Sequence, residues 1–323
     1  MRSTIILALS LTFLFQSCQL GSSNNSQKKD SLTTATTTTT TTTETTKIIP
    51  DSGKAKGNHD SGTSKRTADS GTTMTPSNQK IADAAAILGR KEVPILCYHH
   101  IRPESKGDYT VTTDKFKEQM KALADAGYHT VLPEQLYNYL ALGASLPTNP
   151  FMITYDDTDE EQFTIGKTEM DKYNFKGVYF LMSISIGRPR YMTKEQIKQL
   201  TDEGNAVECH TWDHYMITKY TDKHEVKLAN GKTKIVNDWV EELDKPKKTI
   251  EAITGKPIYY FAYPFGVWNT TAIPELKQRG YKLAFQLSTK RDPNDPLYTV
   301  RRIIVDPHWS GQSMVKAMQA SFR

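Results

Sequence analysis

The sequence predicts an α/β domain built as a distorted (β/α)7-8 barrel. Three observations carry that expectation. From residue 91 onward, short apolar runs alternate with amphipathic stretches, the pattern of a parallel sheet with crossover helices. The runs are continuous rather than alternating, as strands covered on both faces must be. The strand-then-helix unit recurs roughly seven or eight times, the number that closes a barrel.

The strand candidates are 93–99 (VPILCYH), 129–132, 151–156 (FMITYD), 177–182, 206–210 (AVECH), 258–264 (IYYFAYP), 282–285 and 301–305. Helix patterns lie between them. Phe116, Met120 and Leu123 share one face of the first, with Thr113 as the expected cap and Gly127 as its stop. The second opens at Pro133 and ends before Gly143. Further patterns cover 160–173, 193–203, 237–254 and 271–279. Residues 217–236 read as an inserted loop with a hairpin at Ala229–Lys232.

The preceding residues have another character. Arg2 followed by an apolar run from Ile5 to Phe15 reads as a signal segment, too short to span a bilayer. The run ends at Cys18, which fits a lipoprotein-type signal peptide over 1–18. That predicts export to a bacterial cell envelope with a lipid anchor at Cys18. Residues 19–90, rich in Thr and Ser, hold too few apolar groups to offset the entropy of ordering and read as a disordered tether. The formal charge of +5 is scattered among acids, so no nucleic-acid surface is expected. Cys97 and Cys209 read as buried free thiols.

Chemistry in such a barrel sits at the carboxyl ends of the strands. The polar residues there are His99, the tandem Asp156–Asp157, His210, and the turn at 263–266. His210 and His214 are four apart, so a helical turn after Cys209 would place both imidazoles on one face. Two imidazoles and a carboxylate form a three-ligand set that leaves positions open for water and substrate. Asp213, between them, is expected to face solvent or orient a histidine.

The run Thr154–Tyr155–Asp156–Asp157, then His210–Thr211–Trp212–Asp213–His214, then Phe261–Ala262–Tyr263–Pro264–Phe265–Gly266, resembles the polysaccharide deacetylases of carbohydrate esterase family 4, the NodB homology domain. The resemblance covers about residues 91–310 of the expected catalytic domain, 91–323. It implies a NodB-type barrel and metal-dependent hydrolysis of acetyl groups on a polysaccharide, a carbon–nitrogen bond when the substrate is N-acetylated. It implies Asp156 as catalytic base and Asp157, His210 and His214 as ligands of a divalent ion, zinc first, with cobalt or nickel as alternatives. Phe265 would offer a backbone N–H to the oxyanion, and Tyr263 and Trp268 would line a sugar groove.

Three departures mark this chain, one of them the absence of an Asp-x-x-Asp-Trp motif. The family's glycine after the tandem is Thr158. The arginine that would hold the base is absent from the 262–266 segment. The family's C-terminal general-acid histidine is matched instead by Leu96–Cys97–Tyr98–His99. The first and last strands of a barrel are neighbours, so this is a circularly permuted arrangement. The poly-N-acetylglucosamine deacetylases resemble it. His99 is the expected acid, with His308 second. Competing readings are deacetylation of O-acetylated glycans, a metal-retaining carbohydrate-binding protein of weak activity, and a two-His-one-carboxylate iron oxygenase, whose ligand order fits poorly.

Overall fold

The computed structural model describes residues 80–104, 106–227, 230–287 and 290–322. The signal segment, Cys18 and the tether up to residue 79 lie outside the described residues. In chain order the elements are α1 (Ala84–Gly89), β1 (Ile95–Tyr98), β2 (His100–Arg102), β3 (Thr110–Thr112), α2 (Thr113–Asp125), β4 (His129–Thr130), α3 (Pro133–Tyr137), β5 (Pro150–Tyr155), α4 (Thr168–Asp171), β6 (Val178–Leu181) and α5 (Lys194–Asp202). They continue with β7 (Ala206–Cys209), β8 (His224–Lys227), β9 (Thr233–Val236), α6 (Lys245–Thr254), β10 (Tyr260–Ala262), α7 (Ala272–Gln278), β11 (Leu283–Gln286), β12 (Val300–Arg301), β13 (Ile303–Ile304) and α8 (Gly311–Ser321).

One parallel sheet runs β12-β11-β10-β7-β6-β5-β1-β13, with β4 added beside β5. Its two ends are a single stretch of chain. Val300 and Arg301 pair with β11, Ile303 and Ile304 pair with β1, and only Arg302 stands between. The Arg302 N–H donates to the Gln286 carbonyl (3.1 Å) and the Val305 N–H to that of Cys97 (3.1 Å). The barrel is thus nearly closed by one segment that changes partner at Arg302.

Strand period then sorts the side chains. Met152, Val178, Phe180, Ala262, Leu283, Phe285 and Val300 form one buried cluster. Their strand neighbours Phe151, Ile153, Tyr179, Leu181, Phe261 and Ala284 belong to the other, together with helix residues such as Phe116, Leu123, Ile197 and Met314. The first cluster fills the barrel, and the second lies between barrel and helices. The inward parity carried one step further along each strand selects Cys97, His99, Thr154, Asp156 and His210.

Several expectations need correction. The tether was expected to reach residue 90, but Asp83 caps α1 by accepting the Ala86 N–H (2.8 Å), and Ile87 is buried with the barrel-filling cluster. Thr112, not Thr113, caps α2. Three expected helices contain a wider π-type stretch, at 138–142, 162–167 and 240–244. The hairpin is present as β8 and β9. The C-terminal helix α8 lacks a sequence expectation. Gly311 at its start lets it pack on α2, since a Cβ there would stand 2.7 Å from the Glu118 carbonyl oxygen.

Candidate active site

The site residues sit one step beyond paired strand ends. Tyr98 pairs with Tyr155, so His99 and Asp156 emerge side by side. The Asp156 N–H donates to the Tyr98 carbonyl (3.1 Å) and the His210 N–H to that of Leu181 (2.9 Å). After Asp156 the chain turns sharply: Asp157 and Thr158 both adopt left-handed backbone, φ 77° and 70°. Thr211, His214 and Phe265 do the same, at 69°, 69° and 59°. Left-handed non-glycine residues are uncommon, and their clustering at one site is a signature of function.

The expected helical HxxxH is absent. Residues 211–216 form a bent loop, and the two left-handed residues fold it so that His214 comes back beside His210. Their ring centroids are 4.9 Å apart. The Thr211 hydroxyl accepts the His214 N–H (2.9 Å) and holds the bend. Asp157 Oδ1 lies 3.7 Å from Nε2 of each histidine.

This trio fits a divalent ion. The Nδ1–H of His210 donates to the Ala262 carbonyl (2.8 Å), which leaves Nε2 as a lone pair aimed inward. That Nε2 and Asp157 Oδ1 are both buried without a hydrogen-bond partner. Burial pushes the His210 pKa down to about 3, so the imidazole is neutral at physiological pH. Burial also lowers His214. Burial, then the neighbouring Asp156 charge, pushes Asp157 up to about 7. A cation would relieve both effects on the carboxylate and occupy both orphaned atoms.

Asp156 has a different environment. Burial alone would raise its pKa, but the Arg302 guanidinium, together with the nearby His210 and His99, outweighs burial and holds the carboxyl well below the usual range. Arg302 Nη1 and Nη2 donate to Oδ1 (2.7 Å) and Oδ2 (2.8 Å), and Nη1 also reaches Thr154 Oγ1 (3.2 Å). The arginine read as missing is therefore supplied from the barrel's closing segment. The one sequence signal was a charged pair inside a β-branched run, Val300–Arg301–Arg302–Ile303–Ile304. Arg301 points outward to Glu92 (2.5 Å), so Arg302 points in. Gln162, also unforeseen, donates to the backbone carbonyls of His99 (2.8 Å) and Asp156.

His99 stands with Cys97 and Asp156 in a second group whose donor atoms lie within 4.8 Å of one another. Arg302 already neutralises that carboxylate, which disfavours a cation there. Burial brings the His99 pKa down to about 4, against the pull of Asp156. Cys97 and Cys209 are buried free thiols. His308 is exposed beside Asp306. Phe265 is 57% exposed and packs its ring edgewise on His214, centroids 4.4 Å apart. Its turn needs Gly266, where φ is 65° and a Cβ would stand 2.3 Å from that of Leu287.

Tyr263 does not line a groove. It shares the outward parity of Phe261, is fully buried, and donates its hydroxyl to the Tyr298 carbonyl (3.1 Å). Trp268 is partly buried against the same outer cluster, with Nε1–H on Gln286 Oε1 (2.9 Å). Asp213 is exposed beside Glu242, whose carboxylate takes the N–H groups of Trp212 (3.0 Å) and Asp213 (3.3 Å).

A parallel barrel with its ionisable groups gathered at the carboxyl mouth has the architecture in which such barrels carry catalytic side chains. Residues 144–284 match the polysaccharide deacetylase family. The chain is 28% identical over 207 residues to the poly-beta-1,6-N-acetyl-D-glucosamine N-deacetylase of Staphylococcus aureus (strain MRSA252), covering 61% of this chain and 68% of that protein. IcaB from Ammonifex degensii aligns with a TM-score of 0.57 at 26% identity, over 71% of this chain and 98% of that one. The Streptococcus pyogenes deacetylase PplD, solved with acetate, has the same fold. Its TM-score is 0.62 at 21% identity, over 70% of this chain and 98% of that one.

Proposed function

We propose that this protein hydrolyses N-acetyl groups from a polysaccharide of N-acetylglucosamine type, releasing acetate and leaving free amines. One observation carries the reading. A cation-ready trio, Asp157, His210 and His214, lies beside a carboxylate that Arg302 keeps ionised. The likeness to a poly-β-1,6-N-acetylglucosamine deacetylase supports the substrate class. Zinc suits two imidazoles and one carboxylate. When bound, such an ion would acidify a water and polarise the acetyl carbonyl.

The protein groups divide the remaining work. Asp156 is ionised and oriented, so it takes a proton from the attacking water. His99 is neutral at rest, with a ring nitrogen within 4.8 Å of an Asp156 carboxylate oxygen. It can receive that proton and deliver it to the nitrogen as the C–N bond breaks. The Phe265 N–H would serve as a donor to the developing oxyanion. The lipoprotein signal at Cys18 would place this chemistry on the envelope surface. Among the described residues no helix is long and apolar enough to cross a membrane.

The test is acetate release from β-1,6-linked N-acetylglucosamine oligomers by zinc-loaded protein. Wild type should release acetate, and Asp156→Asn should not while still binding zinc. Release from acetylated xylan but from no N-acetyl glycan would favour the O-acetyl reading. Release from neither would leave the binding-protein reading.

A further inference from the structure

Thr158 stands where the family has glycine, yet its backbone is left-handed and its side chain is completely buried. A β-branched residue there carries a steric cost that glycine would avoid. Its contacts show what the side chain does in return. Thr158 Oγ1 accepts the Met182 N–H (2.9 Å), just past the end of β6. The Thr158 carbonyl accepts the Met192 N–H (3.0 Å). The next two residues after Met182 then reach the histidine loop: the Ser183 N–H donates to the Thr211 carbonyl (3.2 Å) and the Ile184 N–H to the Trp212 carbonyl (2.9 Å). Thr211 in turn holds the His214 N–H.

These bonds form a continuous bridge. One end is the turn bearing Asp157, and the other is the loop bearing His210 and His214. The segment 182–184 is the span, and among the described residues the Thr158 hydroxyl is the one side-chain group joining it by a hydrogen bond to the turn that bears Asp157. We propose that Thr158 is a positioning residue that sets the separation between Asp157 and the two imidazoles, and so the affinity of the site for its ion. The inference rests on the cation site of the proposed function and deepens it. Outer partners of metal ligands act in this way by fixing ligand geometry.

The experiment is a Co2+ competition titration with the ligand-field absorption spectrum recorded, on wild type, Thr158→Ser, Thr158→Val, Thr158→Gly and Asp157→Asn. Thr158→Ser keeps the hydroxyl and should stay near wild-type affinity with an unchanged spectrum. Thr158→Val keeps the shape but not the hydroxyl. It should lose roughly 10–100-fold in affinity and shift the spectrum. Thr158→Gly relieves the backbone and so remains informative if the valine variant folds poorly; it should show the same loss. Wild-type affinity and spectrum in the glycine variant would overturn the proposal, whatever happens to its melting temperature. The Asp157→Asn control separates the two readings. If it binds Co2+ as wild type does, the cation site itself is wrong. If it loses binding while the glycine variant keeps it, only the role of Thr158 falls.

Discussion

Replacing Arg302 by methionine tests how the carboxylate proposed as the base is kept ionised. The substitution removes two charge-assisted bonds of 2.7 and 2.8 Å from Asp156. Arg302 and Asp156 side chains are 0% and 2% exposed, so water cannot replace the lost partner. Breaking a buried pair in this way costs ~3–5 kcal/mol. The carboxylate can avoid part of that by taking a proton. With Arg302 gone, burial is unopposed and carries the pKa from below the ordinary carboxylate range to above it. A displacement of ~3 units above the ordinary value, ~4 kcal/mol at about 1.4 kcal/mol per unit, puts a substantial fraction of Asp156 in the neutral form near pH 7. A neutral Asp156 accepts no proton, and loss of a general base lowers kcat by roughly 10²–10⁴. Stability follows the same linkage with a definite sign. In wild type the depressed pKa contributes stability that is present above the unfolded value and lost as pH falls through the folded one. The stability gap between wild type and Arg302→Met should therefore be widest near neutrality and narrow below about pH 4. The assays are acetate release against pH and urea unfolding at pH 7 and pH 4. Wild-type kcat in the variant, with an unmoved acid limb, would refute the reasoning.

Other outcomes follow from the same geometry. Asp157→Asn or His210→Ala should bind zinc at least ~10-fold more weakly, measured by competition with a chromophoric chelator, with the far-ultraviolet spectrum unchanged. Glu208 is buried on β7, and burial pushes its pKa up to about 8, against the Tyr260 and Tyr259 N–H groups it accepts. A raised carboxyl favours folding below its unfolded value, and that advantage disappears as pH rises through the folded one. Glu208→Gln should thus match wild type near pH 5 and melt higher at pH 9, compared on zinc-saturated protein. Gly311→Ala should destabilise by ~1–3 kcal/mol in urea, because its Cβ meets Ala122 at 2.6 Å as well as the Glu118 carbonyl.

The barrel and the tandem aspartates were legible because both are local signals. Continuous apolar runs ending in polar residues report a strand and its mouth without knowledge of the partner strand. Asp157, His210 and His214 announced themselves by residue type. What was hidden depended on pairing. Arg302 reaches Asp156 only because β13 lies beside β1, and nothing within residues 300–305 states that neighbour. Tyr263 looked like a groove residue until the parity of β10 turned it outward. The histidine spacing suggested a helix, whereas two left-handed residues did the work of bringing the rings together. That conformation leaves no mark in the residue types Thr211 and His214.

The segment that changes partner at Arg302 has a consequence for synthesis. A ribosome delivers β1 well before residues 300–304. Until those residues emerge, β11 and β1 are bare edges of an open parallel sheet, each offering unpaired backbone to other chains. Asp156 meanwhile has no counterion. Closing the edges and neutralising the carboxylate are therefore one late event on the same few residues. A nascent chain halted before residue 300 would be both sticky and chemically incompetent, so the two properties should be gained together as residues 300–304 emerge.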